Sequence, residues 1–188
     1  YLDLCKDRLY CDGKSDNHRL SSQTAMAMIT KSLLGLIAPI LTYTADEILE
    51  YAPEFIKGDS KDIFDFVYES IPAVSTSIDF SILIKTREKF YEAVDVLKKD
   101  KIIKNTLELD MATDIGKILH LDKVEAEDWF IVSDISSEFR NDALISFKID
   151  DRRVEIYKAK LHKCPRCWKY HSDNEDEICK RCSKVVEG

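Results

Sequence analysis

Two Cys-x-x-Cys pairs near the end of the chain constrain its fold more than any other sequence feature. The first pair is Cys164 and Cys167, the second is Cys179 and Cys182, and eleven residues separate them. Each pair can offer two thiolates to one metal ion, and four thiolates are the ligand set of a closed tetrahedral zinc site. Because a catalytic zinc keeps one position open for water, we expect one structural Zn²⁺ that shapes a surface and performs no chemistry.

The composition is typical of a globular protein without broad electrostatic affinity for nucleic acid. The 188 residues suffice for one medium domain and a small one, and 45% of them are apolar. The net charge is -7, whereas purely electrostatic binding of nucleic acid needs a basic face. A local basic patch remains compatible with RNA binding. The sequence has no run of about 20 apolar residues and no secretory leader, so we expect a cytoplasmic protein without a membrane span.

The chain opens inside a helical pattern, without a methionine or a capping residue before it. Residues 1–12 place Leu2, Cys5 and Leu9 at three- and four-residue steps, which is typical of one helix face. Because helices usually begin at a cap, we expect the chain to be a piece of a longer protein. Cys5 and Cys11 stand outside the paired cysteines, so we interpret them as buried or half-buried free thiols.

Two further helices are predicted before residue 57. Ser21 or Ser22 can cap the first of them, and Pro39 ends it. Thr44 and Glu47 have the spacing of a capping box, in which two side chains satisfy free amides at a helix start, so a second helix follows. The apolar residues at helical spacing in the first of these helices are Ala25, Met28, Ile29, Leu33, Leu36 and Ile37.

An irregular segment and a basic helix come next. Residues 57–77 lack helical spacing, and we expect their aromatic and apolar side chains to pack against the helices: Phe64, Phe66, Val67 and Tyr68. Residues 79–99 again have a helical pattern. A locally basic stretch on and after this helix is either a solvated face or an edge that contacts RNA. Its residues are Lys85, Arg87, Lys89, Lys98, Lys99 and Lys101.

From residue 101 onward the pattern indicates a small α+β unit. Residues 106–111 alternate as a half-buried strand does, and residues 115–121 have the pattern of a short helix. Residues 129–133 form an apolar run that predicts a buried strand. Residues 143–149 and 154–159 predict two strands joined by a polar turn.

Motifs for catalysis are missing from the sequence. The chain has five glycines and no glycine-rich phosphate loop. His162 and His171 flank the first cysteine pair, but four cysteines already complete a metal shell. A redox or metal-handling protein that uses the thiols remains an alternative, although the second cysteine pair disfavours it.

Five segments resemble one enzyme family. Lys6–Tyr10 and Leu36–Glu47 resemble the helical anticodon-binding domain of class I aminoacyl-tRNA synthetases, in the subgroup for isoleucine, valine, leucine and methionine. Residues 163–168, followed by Cys179–Cys182, are similar to the terminal zinc module of bacterial isoleucyl-tRNA synthetases. Asn105–Glu108 is similar to the segment between those two parts in the same enzymes.

The resemblance implies a mainly α fold in three parts. Residues 1–100 would form a helical bundle of the class I synthetase anticodon-binding type, and residues 101–160 a small α+β junction unit. Residues 161–188 would form a C-terminal zinc knuckle or ribbon module. The partner implied is tRNA(Ile), bound at its anticodon stem and loop. The parent enzyme, a cytoplasmic monomer, would attach isoleucine with ATP in a catalytic domain that this piece lacks, together with the editing domain.

The resemblance also suggests which side chains contact RNA, since unpaired bases are bound by aromatic stacking and edge hydrogen bonds. The candidates are Arg166, Trp168, Lys169, Tyr170 and Arg181 around the metal, and Lys6, Arg8 and Arg19 in the helical part. Alternatively, Trp168 is a buried prop for the metal loop, and the three helical cations form salt bridges. A different class of function is a zinc-ribbon module whose acidic helical part docks a partner protein.

Overall fold

The computed structural model describes residues 1–68, 73, 75–76, 78–113 and 121–187. The described helices are α1 (Leu2–Cys11), α2 (Asn17–Ile37), α3 (Thr42–Tyr51), α4 (Glu54–Lys57), α5 (Phe80–Lys99), α6 (Lys123–Phe130) and α7 (Lys180–Glu187). The described strands are β1 (Leu109–Thr113), β2 (Asp134–Ser136), β3 (Ile145–Ile149) and β4 (Arg152–Lys158). The helix predicted at residues 115–121 lies outside the described residues except for Leu121, which is not helical.

The chain divides into two compact units. One unit is Tyr1–Gly13 together with Thr76–Gly188, and the other is Lys14–Ser75. The first contains α1, α5, α6, α7 and the sheet, and the second contains α2, α3 and α4. The three-part division expected from the family resemblance stays a prediction.

In the unit Lys14–Ser75, α2 packs on the shorter helices through a face that the sequence pattern did not predict. Leu34 is buried in a small core, whereas Leu33 and Leu36 are half or more exposed. Of the residues at helical spacing, Ile37 packs against this core. Leu33 and Leu36 do not, because apolar residues surround much of α2 and their spacing alone does not select a side. The buried members of this core are Leu34, Ala45, Leu49, Ile56 and Ile63.

Both predicted caps in this unit were wrong. The Asp16 carboxylate accepts hydrogen bonds from the amides of His18 and Arg19 at 2.8 and 3.2 Å, so α2 begins four residues before Ser21. Such a side-chain acceptor satisfies amides that the first turn leaves without partners. Helix α3 begins at Thr42, so Thr44 and Glu47 lie inside it and form no capping box. The predicted end of α2 before Pro39 is confirmed, since α2 stops at Ile37.

The loop after α4 is held by fewer side chains than expected. Phe66 packs against the small core beside the buried Ile63, but Phe64 and Val67 are exposed. The Asp46 carboxylate accepts a hydrogen bond from the Ile63 amide at 2.9 Å and thereby ties this loop to α3. The prediction that Phe64 and Val67 pack against the helices was therefore wrong.

The other unit is built on a four-stranded sheet with the order β2-β1-β4-β3. Strand β1 runs parallel to β2 and antiparallel to β4, and β3 pairs antiparallel with β4. The predicted hairpin of β3 and β4 is confirmed, as is the helix predicted at residues 79–99. Side chains of α5, α6 and the sheet form the main core, whose largest fully buried members include Phe90, Leu97, Met111, Phe130 and Ile156.

Two strand predictions in this unit needed correction. Residues 129–133 are not a strand, because α6 extends to Phe130 and Ile131 then adopts a left-handed conformation that ends the helix. Residues 106–108 form a 3-10 turn with Asn105 and Glu108 in a capping box, and β1 starts only at Leu109. The described residues are thus mainly helical with a small sheet and a cluster of four cysteines.

Candidate functional site

The four paired cysteines come together in the fold as their spacing predicts. Cys164, Cys167, Cys179 and Cys182 are buried, and their sulfur atoms all lie within 4.8 Å of one another. The sulfurs of Cys167 and Cys179 are 3.8 Å apart. Zn–S bonds of about 2.3 Å in a tetrahedron place sulfurs roughly 3.8 Å apart. The cluster could therefore hold one metal ion with a closed shell of four ligands.

Backbone hydrogen bonds shape the loop that carries the first cysteine pair. The amide of Trp168 donates to the carbonyl of Cys164, and the amide of Cys164 donates to the carbonyl of Lys169, both at 2.9 Å. Trp168 takes a left-handed conformation with φ 66° to complete this tight turn. His162 and Ser172 exchange backbone hydrogen bonds and close the base of the loop.

Backbone hydrogen bonds also lower the pKa of one of the four cysteines. Burial alone would raise the pKa of the Cys164 thiol, but amides of the loop donate to its sulfur and lower the pKa to about 6. One of these donors is the amide of Cys179, at 3.3 Å from the sulfur. Burial raises the pKa of Cys167. A metal ion must therefore displace a proton at Cys167, whereas Cys164 is already disposed to be a thiolate.

The half-buried Arg166 side chain contacts both the cysteine cluster and α1. One guanidinium nitrogen donates to the carbonyl of Cys11 in α1 at 2.6 Å, and it lies 3.3 Å from the sulfur of Cys182. Four thiolates around Zn²⁺ carry a net charge of about -2. The Arg166 charge would offset part of that excess if zinc were bound, and its hydrogen bond to Cys11 links the loop to α1.

A buried charge cluster joins the cysteine module to α1 and α6. We define it as Asp7, Arg8, Glu127, Asp128, Lys169 and Arg181. The Lys169 ammonium lies 3.0 Å from Glu127, 3.4 Å from Asp128 and 3.7 Å from Asp7. With 3% of its surface exposed, Lys169 cannot present its charge to RNA in this conformation. The expected RNA contact at Lys169 is therefore corrected to a buried ion pair.

The two arginines of the charge cluster are also occupied. Arg181 donates through two nitrogens to the two oxygens of Asp7, at 2.6 and 2.7 Å. Arg8 donates to Asp128 at 2.5 Å. Bidentate arginine–carboxylate pairs, such as that of Arg181 with Asp7, are among the strongest and most directional in proteins. The salt-bridge alternative for Arg8 is confirmed, and Arg181 forms the corresponding pair between α7 and α1.

Burial and partners act in opposite directions on the carboxyl groups of this cluster. Burial would raise the pKa of Asp7, but the hydrogen bond from Arg181 and the nearby Lys169 charge outweigh it and lower the pKa. Burial dominates at Glu127, whose pKa is raised despite the Lys169 charge. Burial likewise opposes the charged form of Lys169, but Glu127, Asp7 and Asp128 together raise its pKa. The cluster therefore keeps Asp7 and Lys169 ionised inside the fold.

The remaining candidates for RNA contact are at or near the surface. Trp168 is 61% exposed, with the Lys163 ammonium 5.4 Å from its ring centre, so it is not a buried prop. Tyr170 is half-buried, and its amide donates to the Ser133 hydroxyl at 2.6 Å. Lys6 is exposed and pairs with Asp3 at 2.7 Å. Arg19 lies on α2 in the other unit.

An open cavity of about 450 Å³ lies beside Trp168. Its apolar walls come from α1, from the end of α6 and from the cysteine loop. They include Leu4, Tyr10, Leu107, Ile131 and Trp168. The exposed ring of Trp168 therefore borders a recess that an apolar planar group can enter.

The sequence patterns did not indicate the partners of the basic residues. Asp7 and Cys11 are four residues apart on α1 and face the cysteine module, but no spacing rule relates them to positions 166–181. Glu127 and Asp128 lie more than 40 residues before Lys169 in the sequence, and no motif relates them to it. No described helix is long and apolar enough to span a membrane.

Comparison with known proteins identifies the family. Residues 1–114 match the family model described as the anticodon-binding domain of tRNA ligase. The whole chain is 55% identical to the isoleucine–tRNA ligase of Aliarcobacter butzleri and 54% identical to that of a Nitratiruptor species. It is 55% identical over 186 residues to the enzyme of Sulfurimonas denitrificans. The chain spans about 20% of the length of these relatives. The chain belongs to the anticodon-binding domain family of tRNA ligases.

Proposed function

We propose that the chain is the tRNA-binding part of an isoleucine–tRNA ligase and contacts the anticodon stem and loop of tRNA(Ile). The observation that carries this proposal is the exposed Trp168 ring, held on a loop whose backbone is fixed by hydrogen bonds and buried cysteines. A rigid exposed aromatic ring offers a stacking surface for an unpaired base at little cost in side-chain entropy. The family match and the relatives' names support tRNA as the partner.

The activity proposed for the whole protein is the attachment of isoleucine to tRNA(Ile) with ATP. The chain matches about a fifth of its relatives' length, and its sequence lacks the motifs of a nucleotide site. We therefore assign catalysis, ATP binding and editing to other parts of a cytoplasmic, monomeric enzyme. Within this chain, residues 1–100 would be the helical bundle of the class I anticodon-binding type, residues 101–160 the junction unit and residues 161–188 the zinc module.

We propose that the metal is one structural Zn²⁺. Cys164, Cys167, Cys179 and Cys182 fit it, because four buried sulfurs within 4.8 Å of one another can supply a closed shell of thiolates, which favours zinc and leaves no open position. Zinc bound there would supply folding energy to the module and no catalytic chemistry. Metal analysis of the purified chain, with an expected ratio of one zinc per chain, tests this assignment. A ratio of two zinc ions, or none in a reduced sample, would contradict it.

The proposed RNA contacts fall into two groups, side chains that remain available to RNA and side chains that are paired within the protein. Trp168 and Tyr170 remain candidates for stacking, and Lys6 and Arg19 remain candidates for the RNA stem. Arg8, Arg166, Lys169 and Arg181 have buried or half-buried partners, so we propose that they hold the module that carries Trp168. Their effect on RNA binding would be indirect.

Equilibrium binding to two transcripts tests the proposed function. Fluorescence anisotropy with labelled tRNA(Ile) and with the same tRNA carrying altered anticodon bases should show tighter binding to tRNA(Ile). Trp168→Ala should reduce that preference, by about 1–3 kcal/mol if one base stacks on the ring. Tyr1→Ala, at another exposed aromatic residue, is the matched control. Equal binding of both transcripts, or a preference unaffected by Trp168→Ala with zinc still bound, would favour the protein-interaction alternative.

A further inference from the structure

Two short segments of this acidic chain are rich in lysine. The first follows the last turn of α5 and the second follows β4. Residues 98–104 and 158–163 together contain seven lysines and one aspartate, whereas the whole chain has a net charge of -7. The lysines are Lys98, Lys99, Lys101, Lys104, Lys158, Lys160 and Lys163.

The fold places these two segments side by side. The Lys158 ammonium donates to the carbonyl of Ile102 at 3.1 Å, and the amide of Ala159 donates to the carbonyl of Glu108 at 2.9 Å. From there the chain continues to Lys163, whose ammonium lies 5.4 Å from the centre of the Trp168 ring. The two segments thus lie beside each other, and the second continues to Trp168; we call their seven lysines the lysine track.

Most charges of the lysine track have no counterion among the described residues. All seven lysines are exposed, and Lys158 forms an ion pair with Glu108 at 2.6 Å. For the other six, no carboxylate of the described ranges 1–68, 78–113 and 121–187 lies within ion-pairing distance. Asp100 is the only acidic residue inside the two segments. Like charges in two neighbouring segments repel one another, and a polyanion would relieve that repulsion.

Helix-end electrostatics explains only a small part of this pattern. Lys98 and Lys99 lie in the last turn of α5, where cations interact favourably with the helix dipole. Lys101 and Lys104 lie beyond the helix, and Lys160 and Lys163 follow a strand. The helix dipole therefore does not account for these four lysines.

We propose that the lysine track binds the phosphate backbone of RNA, independently of base sequence, along the strand that leads to the base at Trp168. This proposal rests on the proposed tRNA-binding function and extends it to a surface outside the cysteine module. Lysine suits this role because its ammonium is a mobile point charge that follows a phosphate without demanding one geometry. Phosphate contacts supply affinity and register, whereas contacts to bases supply preference.

The test compares two triple variants with the same change in charge. The track variant is Lys99→Gln, Lys101→Gln and Lys160→Gln, and the control is Lys14→Gln, Lys61→Gln and Lys148→Gln, all at exposed lysines. Anisotropy titrations use tRNA(Ile) and the altered-anticodon tRNA over roughly 50–200 mM KCl, a range in which phosphate contacts change affinity steeply.

The track variant should bind both transcripts about tenfold or more weaker than the unmodified chain, by the same factor for each. The slope of log K against log salt should become shallower by about two units, and the anticodon preference should not change. The control triple should retain both affinity and slope. If both triples lose affinity equally, or if neither does, the lysine track is not the RNA contact.

Two further outcomes separate this proposal from others. If the unmodified chain binds neither transcript, the proposed tRNA-binding function is contradicted, and the proposed role of the lysine track is contradicted as well. If the track variant keeps its affinity for tRNA but loses binding to poly-glutamate, the surface serves an acidic protein instead, and only the RNA assignment is overturned.

Discussion

At the scale of single residues, the main finding concerns the direction of the basic side chains near the cysteines. Cations close to a proposed RNA site suggest phosphate contacts, but Arg166, Lys169 and Arg181 turn toward α1 and α6. The cysteine ligands follow from spacing alone, because a local motif fixes them. The charge cluster cannot be predicted from spacing. The acidic partners of Lys169 and Arg181 lie more than 40 residues away or at the other end of the chain.

Lys169→Met should destabilise the chain by about 3 kcal/mol or more, because it leaves buried carboxylates without their shared cation. Urea unfolding of the zinc-loaded protein measures this loss. Lys163→Met, at an exposed lysine of the same module, is the matched control and should change stability by no more than about 0.5 kcal/mol. Equal stability of the two variants would mean that Lys169 does not hold the module.

Arg166→Gln should weaken zinc binding by roughly tenfold, because the guanidinium offsets the excess negative charge next to Cys182. Competition with a chromophoric zinc chelator measures the affinity. Lys180→Gln removes an exposed charge that pairs with Asp173 in the same module and should leave the affinity unchanged. If the Arg166 variant binds zinc as tightly as the unmodified chain, the role of Arg166 is confined to its hydrogen bond with the Cys11 carbonyl.

At the scale of helices and strands, sequence patterns located most elements but few of their boundaries. Helix α5 has one clear apolar face, and its bounds agree closely with the prediction. Helix α2 has apolar residues on several sides, so its buried face could not be predicted from the spacing. Residues 129–133 are apolar enough for a buried strand, but a capping box at Asp122 and Glu125 starts α6 and carries the helix to Phe130. Local capping outweighs strand propensity there, since propensity is a weak preference that context overrides.

The start of α2 provides a direct test of its cap. Asp16→Ala should lower the free energy of unfolding by about 1 kcal/mol, because the amides of His18 and Arg19 lose their acceptor. Ser21→Ala changes an exposed residue inside the helix and should alter stability by only a few tenths of a kcal/mol. Thermal or urea unfolding compares them, and a larger effect at Ser21 would restore the cap predicted from the sequence.

At the scale of the whole molecule, we expect the cysteine module to depend on metal, whereas the helices have cores of their own. The main core and the small core of α2 to α4 contain none of the four paired cysteines, which form a separate cluster. A module of this size buries too little apolar surface to fold without its metal, so its stability should follow zinc occupancy.

Cys179→Ser should unfold roughly the last 25 residues, including α7, while α1 to α6 persist, because metal binding provides most of a small module's folding energy. Hydrogen exchange followed by mass spectrometry should show fast exchange after position 161 and slow exchange in α5 and β1. Ser183→Ala, in the same helix, is the control. Slow exchange throughout the module of the Cys179 variant would contradict a metal-dependent fold.

The most direct test of the proposed function links the metal to the reading of the anticodon. The ratio of affinities for tRNA(Ile) and for the altered-anticodon tRNA is measured for the zinc-loaded chain, after removal of zinc by a chelator, and after zinc is restored. The ratio should fall toward one when zinc is removed and recover on its return, while salt-dependent binding through the lysine track persists. An anticodon preference that survives the loss of zinc would contradict the proposal that the four cysteines hold the surface that reads the tRNA.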